Sequence, residues 1–376
     1  MHILIVKLGS IGDIIHTLPA LAAIRVALPE AELSWVVEER SAEMLRGNRL
    51  IDNLIEVDTK SLRGGKVIEE LFLGATKQIK ELRRFKFDVS IDFQGLLKSA
   101  MIQKLSGAKR RFGFSREGLR EPASRLLLTD QIAVPSGIHI IRKNLALAAG
   151  ALNIDVPDGD FEFPIATSEE HIVEADAIVE AVCENSRCER PRVRKGGTLD
   201  LDESPLPTRG LPQREPIAVL NPAGGWVTKL WHAEKFGILA DRIWQLHRMS
   251  SVVVTGPKER ELAEKAAANS HSGKLSLAEP SLKGFYELAK RASVYVGGDT
   301  GPTHIAVAAG TPVVGIFGPT EWWRNGSPNA YDICVERNDI DCRVDCHRRT
   351  CSKWICMDID VETVLAGVTK RLESRL

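Results

Sequence analysis

Three stretches carry residue types at spacings that could do chemistry. The first is "VGGDTGPTHIAVAAGTPVVGIFGPT", residues 296–320. A β-like run ends at Val296, and Gly297 and Gly298 allow a tight backbone path. Asp299, Thr300 and Gly301 then fall where a helix begins, with Pro302 suited to its first turn. Free N–H groups and the helix dipole at such a point favour an anion, and a diphosphate is the natural one. His304 lies one turn further in and can point at the same group. The plainer reading is a capped helix, because Asp and Thr cap helices anywhere. The run of glycines, hydroxyls and a histidine together favours the ligand.

"NPAGGWVTKLW", residues 221–231, repeats this construction. Gly224, Gly225 and Thr228 can bring backbone and hydroxyl near a phosphate, and Lys229 supplies a point charge. The alternative is a turn with a solvated lysine. A third loop, "VVVTGPKERE", follows the next apolar run and is expected on the nucleotide side of a cleft.

The stretch "VKLGSIGDIIHTLPA", residues 6–20, asks a different question. A dinucleotide fold would show Gly-x-Gly-x-x-Gly here. Instead Gly9 and Gly12 are followed at once by Asp13. A carboxylate would repel a phosphate on the same loop but suits a general base facing an acceptor hydroxyl. The competing reading is an N-cap aspartate.

These loops need a scaffold, and the surrounding pattern supplies one. Strands are expected at His2–Lys7, Leu33–Glu38, Asn53–Val57 and Phe87–Phe93. A second set is expected at Ile217–Asn221, Ser251–Thr255, Ser293–Val296, Val313–Phe317 and Tyr331–Val335, with helices between them at Ala233–His247, Glu259–Ala268, Leu282–Lys290 and Pro302–Ala309. Ile11, Ile14, Ile15 and Leu18 follow one helix face, and Pro19 means either a kink or a fresh start capped by Thr17. Strands separated by helices give right-handed βαβ units and parallel sheets. The expectation is α/β: two doubly wound domains facing across a cleft, with ligands at the carboxyl ends of the strands. Between them, Cys183–Pro216 is rich in Pro, Gly and charge and reads as a flexible linker or insertion.

Bulk composition narrows the class. The 376 residues are 44% hydrophobic and 27% charged with zero formal net charge, so no global field argues for nucleic acid. The apolar stretch Ile3–Val6 is too short for a secretory leader, and no run reaches a membrane span's length. A cytoplasmic protein is expected, and its seven cysteines read as thiols or metal ligands rather than a disulfide framework.

Taken together, "KLGSIGDIIHTLPAL", "DFQGLLKSA", "HIIRKNLAL", "NPAGGWVTKLW" and "GGDTGPTHIAVAAGTPVVGIFGPT" resemble the ADP-heptose:lipopolysaccharide heptosyltransferases, glycosyltransferase family 9. The resemblance is greatest to the type that adds the first heptose to the inner core. It implies a GT-B fold of two Rossmann-like domains: an acceptor domain at 1–182, a linker at 183–215, a donor domain at 216–357, and a helix at 358–376 crossing back to the first. It also implies an inverting transfer from ADP-heptose to an acidic, lipid-linked sugar, with no required cofactor, at the inner face of the inner membrane. Asp13 falls on the family's general base; Lys229, Asp299, Thr300, Gly301 and His304 fall on donor contacts. Lys98, Arg120 and Arg142 match basic acceptor positions, and Arg63 joins them in a looser alignment. Gly224 and Gly225 stand where close members carry hydroxyls, so contacts there are backbone only. Where the family has an acid for the donor's ribose, the order here offers Lys258 or Glu259. Two alternatives stay open: another GT-B enzyme with a different nucleotide-sugar, such as an epimerase, and a non-catalytic nucleotide-sugar binder.

"CRVDCHRRTCSKWICMD" places Cys342, Cys346, Cys351 and Cys356 within fifteen residues, with His347 among them. Zinc sites usually show Cys-x-x-Cys pairs, and these spacings are longer. A structural zinc, an iron–sulfur cluster and plain reduced thiols are all open readings.

Overall fold

The computed structural model describes residues 1–57, 82–187, 216–342, 346 and 348–374. Arg63, His347 and the linker stretch over 188–215 lie outside the described residues.

The first half builds a six-stranded sheet from β1 (His2–Val6), β2 (Glu32–Glu38), β3 (Asn53–Val57), β4 (Val89–Asp92), β5 (Arg110–Phe114) and β6 (Asp130–Ile132). Its order is β3-β2-β1-β4-β5-β6, and every pairing is parallel. The second sheet uses β7 (Ile217–Asn221), β8 (Ser250–Val254), β9 (Leu275–Ala278), β10 (Val294–Gly298), β11 (Val313–Phe317) and β12 (Ile333–Glu336). Its order, β12-β11-β10-β7-β8-β9, is the same doubly wound arrangement and is likewise all parallel. The expected α/β architecture of two Rossmann-like domains is therefore present. The central strands are largely apolar because both faces are covered, and β1, β7 and β11 are buried at every residue.

The helices are α1 (Ile11–Ile15), α2 (Leu18–Ala27), α3 (Leu97–Leu105), α4 (Ile140–Leu152), α5 (Glu169–Arg187), α6 (Ala233–His247), α7 (Arg260–Ala268), α8 (Leu282–Arg291), α9 (Gly301–Ala308), α10 (Trp322–Asn325) and α11 (Val361–Glu373). Pro19 does start a new helix: α1 ends at Ile15, and α2 begins at Leu18 behind Thr17 with the proline in its first turn. Strands β5, β6 and β9 are additional to those expected. They are short, edge-side elements, and the exposed Arg110, Gln131 and Leu277 within them break the continuous apolar signal.

Two helices divide between the domains differently from the expected boundaries. Helix α5 packs against α8, β8 and β9 of the second sheet. Arg291 Nε there donates to Asp176 at 2.8 Å, and Ser281 N donates to Glu174 at 2.8 Å. The final helix α11 stays with the second domain rather than crossing back to the first. Its Val364, Leu365 and Val368 are buried in the second domain's core, and it packs on α6, β11 and β12. Arg371 anchors it, donating from Nε to the buried Asp332 at 2.7 Å, while Asp332 also accepts from Val313 N.

Candidate active site

In each sheet the strand order reverses between two central strands, β1 and β4 in the first and β7 and β10 in the second. Crevices at the carboxyl ends of such strands are where α/β sheets bind ligands. Register brings Val6 level with Asp92, and Asn221 level with Gly297. The loops after these four strands open into one interdomain cleft of about 640 Å³. Asp13, Lys98, Arg120, Lys229, Asp299, Thr300, Gly301 and His304 all line it.

The two domains touch at the floor of this cleft, where α1 packs directly on α9. A Cβ at Gly12 would collide with the His304 ring, so only glycine permits that approach. His16 packs edge-on against His304 with centroids 4.3 Å apart, and His139 flanks His16 at 5.9 Å. Burial, with the neighbouring His304 and His139, holds the His16 imidazole well below the ordinary histidine range, so it is neutral.

Asp13 sits in the first turn of α1 and accepts a hydrogen bond from Ser10 N at 3.2 Å. Asp13 is not the N-cap, which is Ser10, but the third helical residue in a capping box, and its carboxylate lines the cleft. Lys7 Nζ lies 3.5 Å and Arg120 Nη2 3.1 Å from Oδ1, and Gln94 Nε2 reaches Oδ2 at 3.5 Å. Burial alone would push the carboxyl up. The Lys7 ammonium, the Arg120 guanidinium and the Ser10 N–H outweigh it and hold Asp13 far below the usual carboxylate range. Lys7 is itself buried and donates to Phe93 O at 2.9 Å. Burial lowers its ammonium, with Asp13 opposing that shift.

The shape of this corner depends on Asp92. Its Oδ1 accepts from Gln94 N at 2.8 Å and Gly95 N at 3.2 Å, and its Oδ2 from Ser99 Oγ at 2.8 Å. Burial raises this carboxyl to about 6 against those hydrogen bonds. The tightened loop presents Gln94, whose Oε1 accepts from Leu8 N at 3.2 Å while Nε2 reaches Asp13.

Across the cleft, Lys229 Nζ donates to Asp299 Oδ2 at 2.6 Å, Thr320 Oγ1 donates to the same oxygen at 2.7 Å, and His304 Nε2 lies 3.2 Å from Oδ1. Burial opposes the charge on Asp299, but the His304 hydrogen bond and the Lys229 ammonium keep it ionised far below the usual range. Asp299 is thus an anchor for three cationic or donor groups, Lys229, Thr320 and His304. Lys229 also lies 4.4 Å over the Trp226 ring.

An adjoining pocket of about 400 Å³ shares Ser10, Gly12, Thr300 and Gly301 with the cleft. Gly224, Gly225 and Glu259 line it, whereas Lys258 does not. Glu259 Oε2 accepts from Gly256 N at 3.1 Å. A Cβ at Gly224 would collide with the Thr300 side chain, which accounts for the glycine where a hydroxyl residue was implied.

Other expected residues are placed elsewhere or engaged. Thr228 turns away from the cleft, donating from Oγ1 to Arg348 O at 2.6 Å. Arg142 is outside the cleft lining and pairs with the exposed Asp158. Lys98 lines the cleft but donates to Glu38 Oε1 at 2.7 Å, and Arg40 donates to Oε2 of the same acid at 2.7 Å. Sequence reasoning passed over Lys7, Glu38, Gln94 and His16. A lysine ending an otherwise apolar strand is the one signal among these that could have been used. Among the described residues, no group of three or more His, Cys, Asp or Glu stands as a ready metal site.

Comparison with known proteins bears on this site. The family model for glycosyltransferase family 9 (heptosyltransferase) matches residues 75–354. Lipopolysaccharide heptosyltransferase 1 of Pseudomonas aeruginosa is 27% identical over 353 residues, covering 94% of this chain and 88% of that protein. Lipopolysaccharide heptosyltransferase 1 of Escherichia coli K12 is 25% identical over 321 residues, covering 85% of this chain and 89% of that one. Among solved structures, E. coli heptosyltransferase WaaC with ADP superposes with a TM-score of 0.73 at 22% identity, covering 99% of this chain and all of that one. A glycosyl transferase family 9 structure from Veillonella parvula gives 0.77 at 19% identity, covering 99% and 97%. These superpositions establish the fold.

Proposed function

We propose, on the premise that the chain belongs to glycosyltransferase family 9 (heptosyltransferase), that it transfers a heptose from ADP-heptose to an acidic sugar of the lipopolysaccharide inner core with inversion. The observation that carries this reading is one cleft with Asp13 on one wall and the Lys229–Asp299 pair on the other. The diphosphate lies at the start of α9 against Lys229, and Glu259 meets the ribose in the adjoining pocket. Asp13 takes the proton from the acceptor hydroxyl as that oxygen attacks the anomeric carbon opposite the leaving group. The sugar passes through an oxocarbenium-like transition state. Charge grows on the departing diphosphate, where the N–H groups of α9 and Lys229 are already oriented. Lys98, Arg120 and Arg40 supply positive charge on the acceptor side.

The acceptor in this reading is lipid-linked, which brings the enzyme to the membrane's inner face. No helix among the described residues is long and apolar enough to cross a membrane. The decisive assay measures ADP release from ADP-heptose with and without a core acceptor. Release only with acceptor supports transfer. Turnover of the donor with no acceptor supports an epimerase, and binding without turnover supports a non-catalytic binder.

A further inference from the structure

Beside the loop that carries Lys229, the chain following β12 gathers four thiols. Cys342, Cys346, Cys351 and Cys356 line one small cavity of about 20 Å³, room for roughly a single small guest. All four are free thiols. We infer that these cysteines form a tetrathiolate site for one zinc ion, which clamps this segment onto the loop that carries Lys229.

The donor set selects the metal. Among the described residues no carboxylate lines the cavity, and four sulfurs suit a thiophilic ion with tetrahedral preference rather than oxygen-seeking calcium or magnesium. As they stand, the thiols share a cavity without forming a closed ligand set. Binding closes it. Each of the four S–H groups gives its proton to solvent, four sulfur–zinc bonds form, and no electron is transferred. Four thiolates and Zn²⁺ leave two negative charges. Arg348 lines the cavity to balance them, and Trp354 N already donates to Cys351 Sγ at 3.3 Å, the kind of outer contact that orients a thiolate ligand.

The same segment is tied to the donor loop by two hydrogen bonds. Thr228 Oγ1 donates to Arg348 O at 2.6 Å, and Trp354 Nε1 donates to Thr228 O at 3.1 Å. Arg349 lies over the Trp226 ring at 4.9 Å, on the ring that Lys229 also covers. Thr228 is the residue next to Lys229, so ordering the thiol segment orders the phosphate-binding lysine.

The test uses the full chain, purified without chelator. Elemental analysis should find one zinc per chain, and exchange for Co²⁺ should produce the intense sulfur-to-cobalt charge-transfer absorption of a tetrahedral thiolate site. Cys351→Ser and Cys356→Ser should lose both signals, with the far-ultraviolet circular dichroism checked for a retained fold. Should either variant fail to fold, the cobalt spectrum of the unaltered chain still decides. A folded chain with no bound metal and no thiolate–cobalt band overturns the inference. So does a disulfide among these four cysteines on alkylation mapping, an iron–sulfur chromophore, or zinc content unchanged in the serine variants. None of these readouts depends on the transferase assay.

Discussion

Arg120 donates from Nη2 to Asp13 Oδ1 at 3.1 Å. In the proposed transfer Arg120 faces the acceptor, and it also holds the Asp13 carboxyl in its ionised, weakly basic state. An acidic acceptor that draws the guanidinium to itself removes one of the two cations depressing Asp13, and so strengthens the base as the substrate arrives. Arg120→Met should raise the acceptor KM by roughly 10- to 100-fold, the worth of a charge-assisted hydrogen bond. It should also move the acid limb of the pH–rate profile to higher pH, because loss of the cation lets the Asp13 pKa rise. A profile identical to the parent's would exclude this coupling.

Asp13 itself should carry the proton transfer. Asp13→Ala is expected to lower kcat by about 10²- to 10⁴-fold, the usual contribution of a general base. ADP affinity, measured by calorimetry, should stay within about twofold, because Asp13 does not line the adjoining pocket proposed for the ribose.

Lys229 and Asp299 should behave as a unit. Lys229→Met removes the charge proposed to face the diphosphate, and Asp299→Asn weakens the 2.6 Å contact that holds it. Each should weaken ADP binding by roughly 10- to 100-fold. The double variant should be little worse than the worse single one, since residues in contact are not additive.

His16 links stability to pH. Its folded pKa lies below the unfolded value near 6.5, so its neutral form is favoured on folding. Its contribution to stability is complete above about pH 6.5 and is lost as pH falls below that, with a slope of up to about 1.4 kcal/mol per pH unit. His16→Gln should flatten that part of the curve in urea denaturation measured from pH 7.5 to 5.5. An unchanged slope would remove the His16–His304 contact from the account.

The buried Arg371–Asp332 pair should hold the last helix in place. Asp332→Ala leaves the guanidinium buried without its carboxylate and should cost about 3–5 kcal/mol. A loss below 1 kcal/mol in denaturant unfolding would mean that the helix is held by its apolar face alone.

The central strands and the turns that follow them were legible in the sequence because their signals are local. An unbroken apolar run marks a strand covered on both faces, as in β1 and β7, and glycine followed by Asp-Thr-Gly-Pro marks the strand-to-helix turn at α9. The partnerships were not legible, because they cross long sequence distances. Arg120 reaches Asp13 from 107 residues away, and Glu38 takes up Lys98 from 60 residues away. The docking of α5 and α11 escaped for the same reason. Each carries an amphipathic stripe that would suit either domain, and only tertiary partners such as Asp332 and Arg291 decide between them.

The division of labour between the domains is tested most directly by a crystal structure with the inert donor analogue ADP-2-deoxy-2-fluoro-heptose. The account predicts the diphosphate against Lys229 and the first turn of α9, the ribose near Glu259, and the anomeric carbon facing the Asp13 carboxylate. A diphosphate seated on the Gly9–Gly12 turn, with Lys229 still bound only to Asp299, would contradict it.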